Sequence, residues 1–153
     1  MNKGLLVSIL LLLSGGATAQ ESPDWFLKAI KTETPDQLSY YFHVSEGCPF
    51  TEEKTIPVVE GVFIRSRIKP TPNDWRTAPL YLSISIECLS LETMLHPIYN
   101  LYIAFGRRNP YPAILYDYRF GALGLNDEDS IMQTLKTSVE AAATEYLRAN
   151  FDL

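Results

Sequence analysis

The chain has 153 residues, 46% apolar and 12% aromatic, enough to bury one core and too rich in bulky side chains for a disordered segment. Its formal charge of −5 excludes a general nucleic-acid or anionic-membrane binder and suits a cationic partner better. With only two histidines and two cysteines, acid-base and metal chemistry have few candidates.

Residues 1–19 read as a cleavable signal peptide. Met1-Asn2-Lys3 forms a short positive start, Leu5 to Leu13 an apolar run broken only by Ser8, and Ala17-Thr18-Ala19 the small-x-small pattern that predicts cleavage before Gln20. The run is roughly half the ~20 apolar residues that a membrane-spanning helix needs, and no Cys follows it to carry lipid. The expectation is a periplasmic or secreted protein with no stable membrane anchor after cleavage, residues 20–153 forming a single exported domain of formal charge about −6. The short n-region and the lack of an Asn-x-Ser/Thr site point to the periplasm.

Export would place Cys48 and Cys88 where disulfides persist, and their even count predicts a bridge. Closing so long a loop is worth roughly 4 kcal/mol in the loop-entropy model. Their wide spacing is unlike a redox-active Cys-x-x-Cys pair.

In chain order, Ser22-Pro23-Asp24 reads as a helix start, and Trp25, Phe26, Ala29 and Ile30 share one face, predicting a short helix over 23–32. Residues 38–44 alternate, with Tyr40, Phe42 and Val44 on one side and Ser39, Tyr41 and His43 on the other, as a half-buried strand does. Gly47 and two prolines predict a loop over 45–57. Residues 58–69 then read as a strand, with Val58, Val62, Ile64 and Ile68 inward and Arg65, Arg67 and Lys69 outward. Residues 70–79 carry turn chemistry, and residues 80–89 alternate cleanly, with Leu80, Leu82, Ile84, Ile86 and Cys88 inward and Tyr81, Ser83, Ser85 and Glu87 outward.

After a turn at His96-Pro97, residues 98–105 and 113–120 predict a hairpin tipped by Arg107 and Arg108. From Ile131 to Leu147 the apolar residues follow helical spacing for more than four turns, behind Asp127, Glu128 and Asp129 at the helix start. The expected fold class is therefore α+β: an antiparallel sheet of about five strands with one face covered by a long C-terminal helix and a short N-terminal one.

No motif fixes a chemistry. Gly-x-Ser-x-Gly and phosphate-loop patterns are absent. Ser66-x-x-Lys69 would face opposite ways on a strand, and the partner motifs Ser-Asp-Asn and Lys-Thr-Gly are missing. His43, Glu46 and Cys48 form the nearest approach to a zinc set, with Cys48 expected in its bridge, so neither metal nor cofactor is expected. The acidic pairs Glu52-Glu53 and Asp127 to Asp129 are accounted for by a loop and a helix dipole.

The candidate binding surface comprises the cationic row Arg65, Arg67 and Lys69, the loop residues Trp75 and Arg76, and the hairpin arginines Arg107 and Arg108. Such a row could receive an acidic peptide, a polysaccharide carboxylate or a phosphate, or pair with Glu87 and Asp117 across the sheet. The expected function is a non-catalytic interaction module that binds a protein or cell-envelope component, not nucleic acid, through the open sheet face. An envelope hydrolase using His43 or a carboxylate, and a carrier of an apolar ligand between sheet and helix, are the alternatives.

Overall fold

Helix α1 (Asp24–Ala29) starts where Pro23 sets the backbone, the Pro23 carbonyl accepting from the Phe26 N–H. The structure, a computed structural model, describes residues 22–89, 98–108, 112–116, 120–125 and 127–151. The predicted signal peptide, the turn at His96 and Asp117 lie outside the described residues. Phe26 anchors α1 on the core, its ring 6.0 Å from those of both Phe105 and Phe120.

The largest departure from expectation follows strand β1 (Gln37–Val44). Helix α2 (Glu52–Arg65) occupies much of the predicted loop and most of the predicted strand over 58–69. Its internal Pro57 reads as a loop signal, and its β-branched residues imitate a strand. Burial decides the matter: Thr55, Val59, Val62 and Phe63 lie inward at helical spacing, and the buried Thr55 hydroxyl donates to the Glu52 carbonyl at 2.7 Å. Glu52 and Glu53 therefore sit in a first helical turn, not a loop, where they complement the positive end of the helix.

The exit of α2 is a Schellman motif. The Ile68 N–H donates to the Phe63 carbonyl at 2.8 Å and the Arg67 N–H to the Ile64 carbonyl at 3.0 Å, with Arg67 left-handed at φ 58°. Buried Ile68 then leads into the short edge strand β2 (Lys69–Thr71).

A 3₁₀ turn (Pro72–Asp74) precedes β3 (Leu80–Leu89). Strands β4 (Ile98–Arg107), β5 (Ala113–Tyr116) and β6 (Ala122–Leu125) follow. The six-stranded sheet runs β2-β1-β3-β4-β5, with β6 also pairing β4. It is mixed, not antiparallel: β1 runs parallel to both β2 and β3, while β3, β5 and β6 are antiparallel to β4. Parallel neighbours need a crossover, and α2 supplies the one between β1 and β2.

One sheet face carries the core, including Leu38, Tyr40, Leu82, Ile84, Ile86, Leu101, Ile103 and Phe105. Helix α3 (Glu128–Phe151) covers it with Ile131, Leu135, Val139, Ala142 and Tyr146, starting where Asp127 accepts the Ser130 N–H at 3.0 Å. Tyr146 donates to the Gln37 carbonyl at 2.9 Å. The Asn150 amide accepts from the Thr32 N–H at 2.9 Å and donates to the Ile30 carbonyl at 3.2 Å, tying α3 to the end of α1.

Cys48 and Cys88 are bridged, with Cα atoms 4.9 Å apart, joining the loop after β1 to the end of β3. No described helix is long and apolar enough to cross a membrane.

Candidate binding surface on the open sheet face

Strand alternation sends Ser39, Tyr41 and His43 of β1, and Tyr81, Ser83, Ser85 and Glu87 of β3, to the face away from the helices. The register places Ser39 beside Tyr81, Tyr41 beside Ser83 and His43 beside Ser85; across β4, Tyr81 pairs with Gly106 and Glu87 with Asn100.

Over one end of this face lies residue Trp75. Pro72 opens the 3₁₀ turn, and the Asp74 carbonyl then accepts the N–H groups of Thr77 and Ala78 at 3.0 and 2.8 Å, folding the segment back onto the sheet. Trp75 thereby packs on two outward tyrosines, its ring 4.6 Å from Tyr41 and 5.9 Å from Tyr81. Two guanidinium groups lie against the same indole, that of Arg76 at 5.3 Å and that of Arg108 at 5.8 Å. Arg108 also lies 5.4 Å from the Tyr81 ring and donates through Nε and Nη2 to the Trp75 carbonyl at 3.4 and 3.3 Å. It thus fixes the loop backbone and stacks on it at once. Trp75, Tyr41, Tyr81 and Arg108 are half-buried and Arg76 is exposed.

Beside this platform a hollow of about 200 Å³ is lined by Tyr81, Arg107, Arg108, Pro112, Ala113 and Ile114, with Ile114 54% exposed. Behind the same loop a polar cavity of about 320 Å³ opens between the starts of β1 and β3, lined by Thr32, Thr34, Ser39, Thr71, Asp74 and Thr77 among others. There the Ser39 and Thr71 hydroxyls pair at 2.8 Å.

The residues singled out from the sequence as a binding surface do not form one surface. Trp75, Arg76 and Arg108 come together. Arg107 instead donates from Nη1 to the Ala29 carbonyl, holding the end of α1. The row Arg65, Arg67 and Lys69 does not exist, because a helix end and its exit turn replace the strand. Arg65 faces Glu140 of α3 at 3.4 Å, Arg67 forms the left-handed cap, and Lys69 begins β2 with its N–H on the Asp36 carbonyl. Ser66 closes α2 and Lys69 opens β2, so their Ser-x-x-Lys spacing lies on neither a helix turn nor a strand.

His43 sits on the open face with Nδ1 3.8 Å from Glu52 Oε1, both side chains about half exposed. Among the described residues no three His, Cys, Asp or Glu side chains gather as a metal-holding group. Tyr41 and Tyr81 were legible as outward-facing, but nothing in their spacing showed that residue Trp75 would fold onto them. Gly106, which admits the Tyr81 ring, gave no signal.

No family model and no curated protein matches the chain. Among solved structures, it is similar to the PelC dodecamer from Paraburkholderia phytofirmans, at 9% identity and a TM-score of 0.44, covering 72% of this chain and 86% of that one. It is also similar to the hypothetical protein CT253 from Chlamydia trachomatis, at 14% identity and a TM-score of 0.42, covering 74% of this chain and 98% of that one. At this level of likeness neither protein's assembly nor its role transfers to this chain.

Proposed function

We propose that the chain is an exported, non-catalytic interaction module that binds a protein or cell-envelope component through the open sheet face and its adjoining loops. The supporting observation is the half-buried Trp75 held over Tyr41 and Tyr81 with two arginines against it. Trp, Tyr and Arg are the residue types that concentrate binding energy, and a pre-packed cluster loses little side-chain entropy on association. The Cys48–Cys88 bridge is of the kind that persists in oxidising compartments, which supports periplasmic or secreted residence. Net charge weighs against nucleic acid as the partner.

In vivo crosslinking from a photoreactive residue at position 41, compared between wild type and Trp75→Ala, tests this reading. A specific adduct that disappears in the variant supports it. An adduct unaffected by Trp75→Ala, or the absence of any adduct, sinks it.

A further inference from the structure

We infer that the Trp75 platform binds an acidic segment of a partner polypeptide, its carboxylates received by Arg76 and Arg108 and an apolar side chain by the hollow at Ile114. This deepens the open-face reading and rests on it. Both guanidinium groups are positioned by aromatic rings, at 5.3 and 5.8 Å from one indole, and not by carboxylates: among the described residues neither makes an ion pair. That contrasts with Arg65 and Arg148, which face Glu140 and Glu145. Among the described residues Arg76 makes no hydrogen bond, so its donors remain for bidentate carboxylate recognition, while Arg108 spends two N–H groups on the Trp75 carbonyl and keeps others available.

The chain's net charge of −5 favours cationic partners at long range. Screening confines that field to about 8–10 Å in physiological salt, so a local pair of unmatched arginines decides contact specificity. The same numbers select the class of occupant. Three arginines on an acidic protein, Arg76 and Arg108 of the platform and Arg107 of the hollow, are too few for an anionic bilayer, whose recognition takes clusters of about 4–8 basic residues. Among the described residues of the platform and the hollow, none carries a carboxylate or amide side chain to accept from sugar hydroxyls. A peptide carrying adjacent carboxylates and an aliphatic residue matches both the cationic and the apolar parts.

The test is fluorescence anisotropy of a labelled peptide of repeating Glu-Glu-Leu against the purified protein, with a Gln-Gln-Leu repeat, polygalacturonate and phosphatidylglycerol vesicles as parallel arms. The acidic peptide is expected to bind on the order of tenfold more tightly than its amide counterpart. Arg76→Gln, at an exposed position that leaves the fold intact, is expected to weaken binding about tenfold, and Arg76→Lys to restore only part of it. Equal affinity for the two peptides, indifference to Arg76→Gln, or preference for polygalacturonate or vesicles overturns the inference. If the acidic peptide fails while a crosslinked adduct still depends on Trp75, the ligand class is wrong and the open-face module stands. If the adduct ignores Trp75, the module itself falls.

Discussion

Tyr81 lays its ring across Gly106 on the neighbouring strand: a Cβ added at Gly106 would stand 2.1 Å from Tyr81 Cζ and 2.4 Å from its hydroxyl. The absent side chain is what lets the Tyr81 ring sit where Trp75 and Arg108 pack against it. Gly106→Ala should push the ring outward and disperse the platform without touching any of its members. We expect a changed near-ultraviolet circular dichroism signal with a loss of at most about 1 kcal/mol in stability, because the clash falls on the far end of a half-buried side chain that can swing toward solvent. An unaltered spectrum would show that Tyr81 does not need Gly106.

The disulfide holds the loop that leads from β1 into α2. Cys48→Ser with Cys88→Ser should cost roughly 4 kcal/mol if the unfolded loop is its main target, read as a lowered urea midpoint. Gly47 packs so closely on the bridge that a Cβ there would meet the Cys88 carbonyl oxygen at 2.6 Å. Gly47→Ala should therefore destabilise the oxidised protein, because backbone on one side and the bridge on the other leave the contact little room to open. A neutral effect on the urea midpoint would mean that the loop relaxes freely.

Two buried phenols make the protein sensitive to alkali. Burial raises the Tyr40 hydroxyl well above its ordinary value of about 10, helped by its 2.8 Å hydrogen bond to Glu60 and that residue's charge. Burial also raises Tyr146, with Asp36 adding to it. Because the folded state holds these protons more tightly than the unfolded state, stability is fully present below about pH 10 and falls as pH rises beyond it. The Tyr40→Phe, Tyr146→Phe double variant should flatten that alkaline decline while losing about 1 kcal/mol per hydrogen bond at neutral pH. Parallel pH profiles for wild type and variant would contradict the assignment.

How far the fold was legible depended on whether local pattern and tertiary role agreed. Strand β3 was clear, because Leu80, Leu82, Ile84 and Ile86 are buried while their neighbours are not. The α3 stripe and its acidic start were clear for the same reason. Helix α2 was not: Val58, Val62, Ile64 and Ile68 match alternation, whereas the residues that meet the core are Thr55, Val59, Val62 and Phe63. Alternation in that one element makes a crossover helix look like a strand of an antiparallel sheet, conceals the parallel pairing and aligns Arg65, Arg67 and Lys69 in a row that the helix end disperses. The Trp75 platform escaped for another reason, since it joins Tyr41 of β1, Tyr81 of β3, Arg108 beyond β4 and a loop residue through sheet register and the fold of the loop, neither of which has a local pattern.

Arg67 offers a check on that corrected element. A non-glycine residue at φ 58° closes the Schellman motif of α2, where glycine carries no Cβ penalty. The Arg67 side chain is exposed, so Arg67→Gly removes little packing. The substitution also loosens the unfolded chain, and the net gain should be modest, up to about 1 kcal/mol by urea denaturation. A loss of stability would mean that the arginine contributes more through its side chain than its backbone strain costs.

Pro57 is the stronger test, because it made the first part of α2 look like a loop and yet lies inside the helix. Lacking an N–H, it leaves the Glu53 carbonyl without its helical donor, and its ring crowds the turn before it. Its side chain is exposed, while the neighbours that bury, Thr55 and Val59, stay in place if the ring is removed. Pro57→Ala should therefore restore the missing bond and stabilise the protein by up to about 3 kcal/mol, less what the freed unfolded chain gains in entropy. Helical circular dichroism should rise with it. If instead the helical signal falls and the melting point drops, the ring of Pro57 contributes more to α2 than its missing hydrogen bond costs.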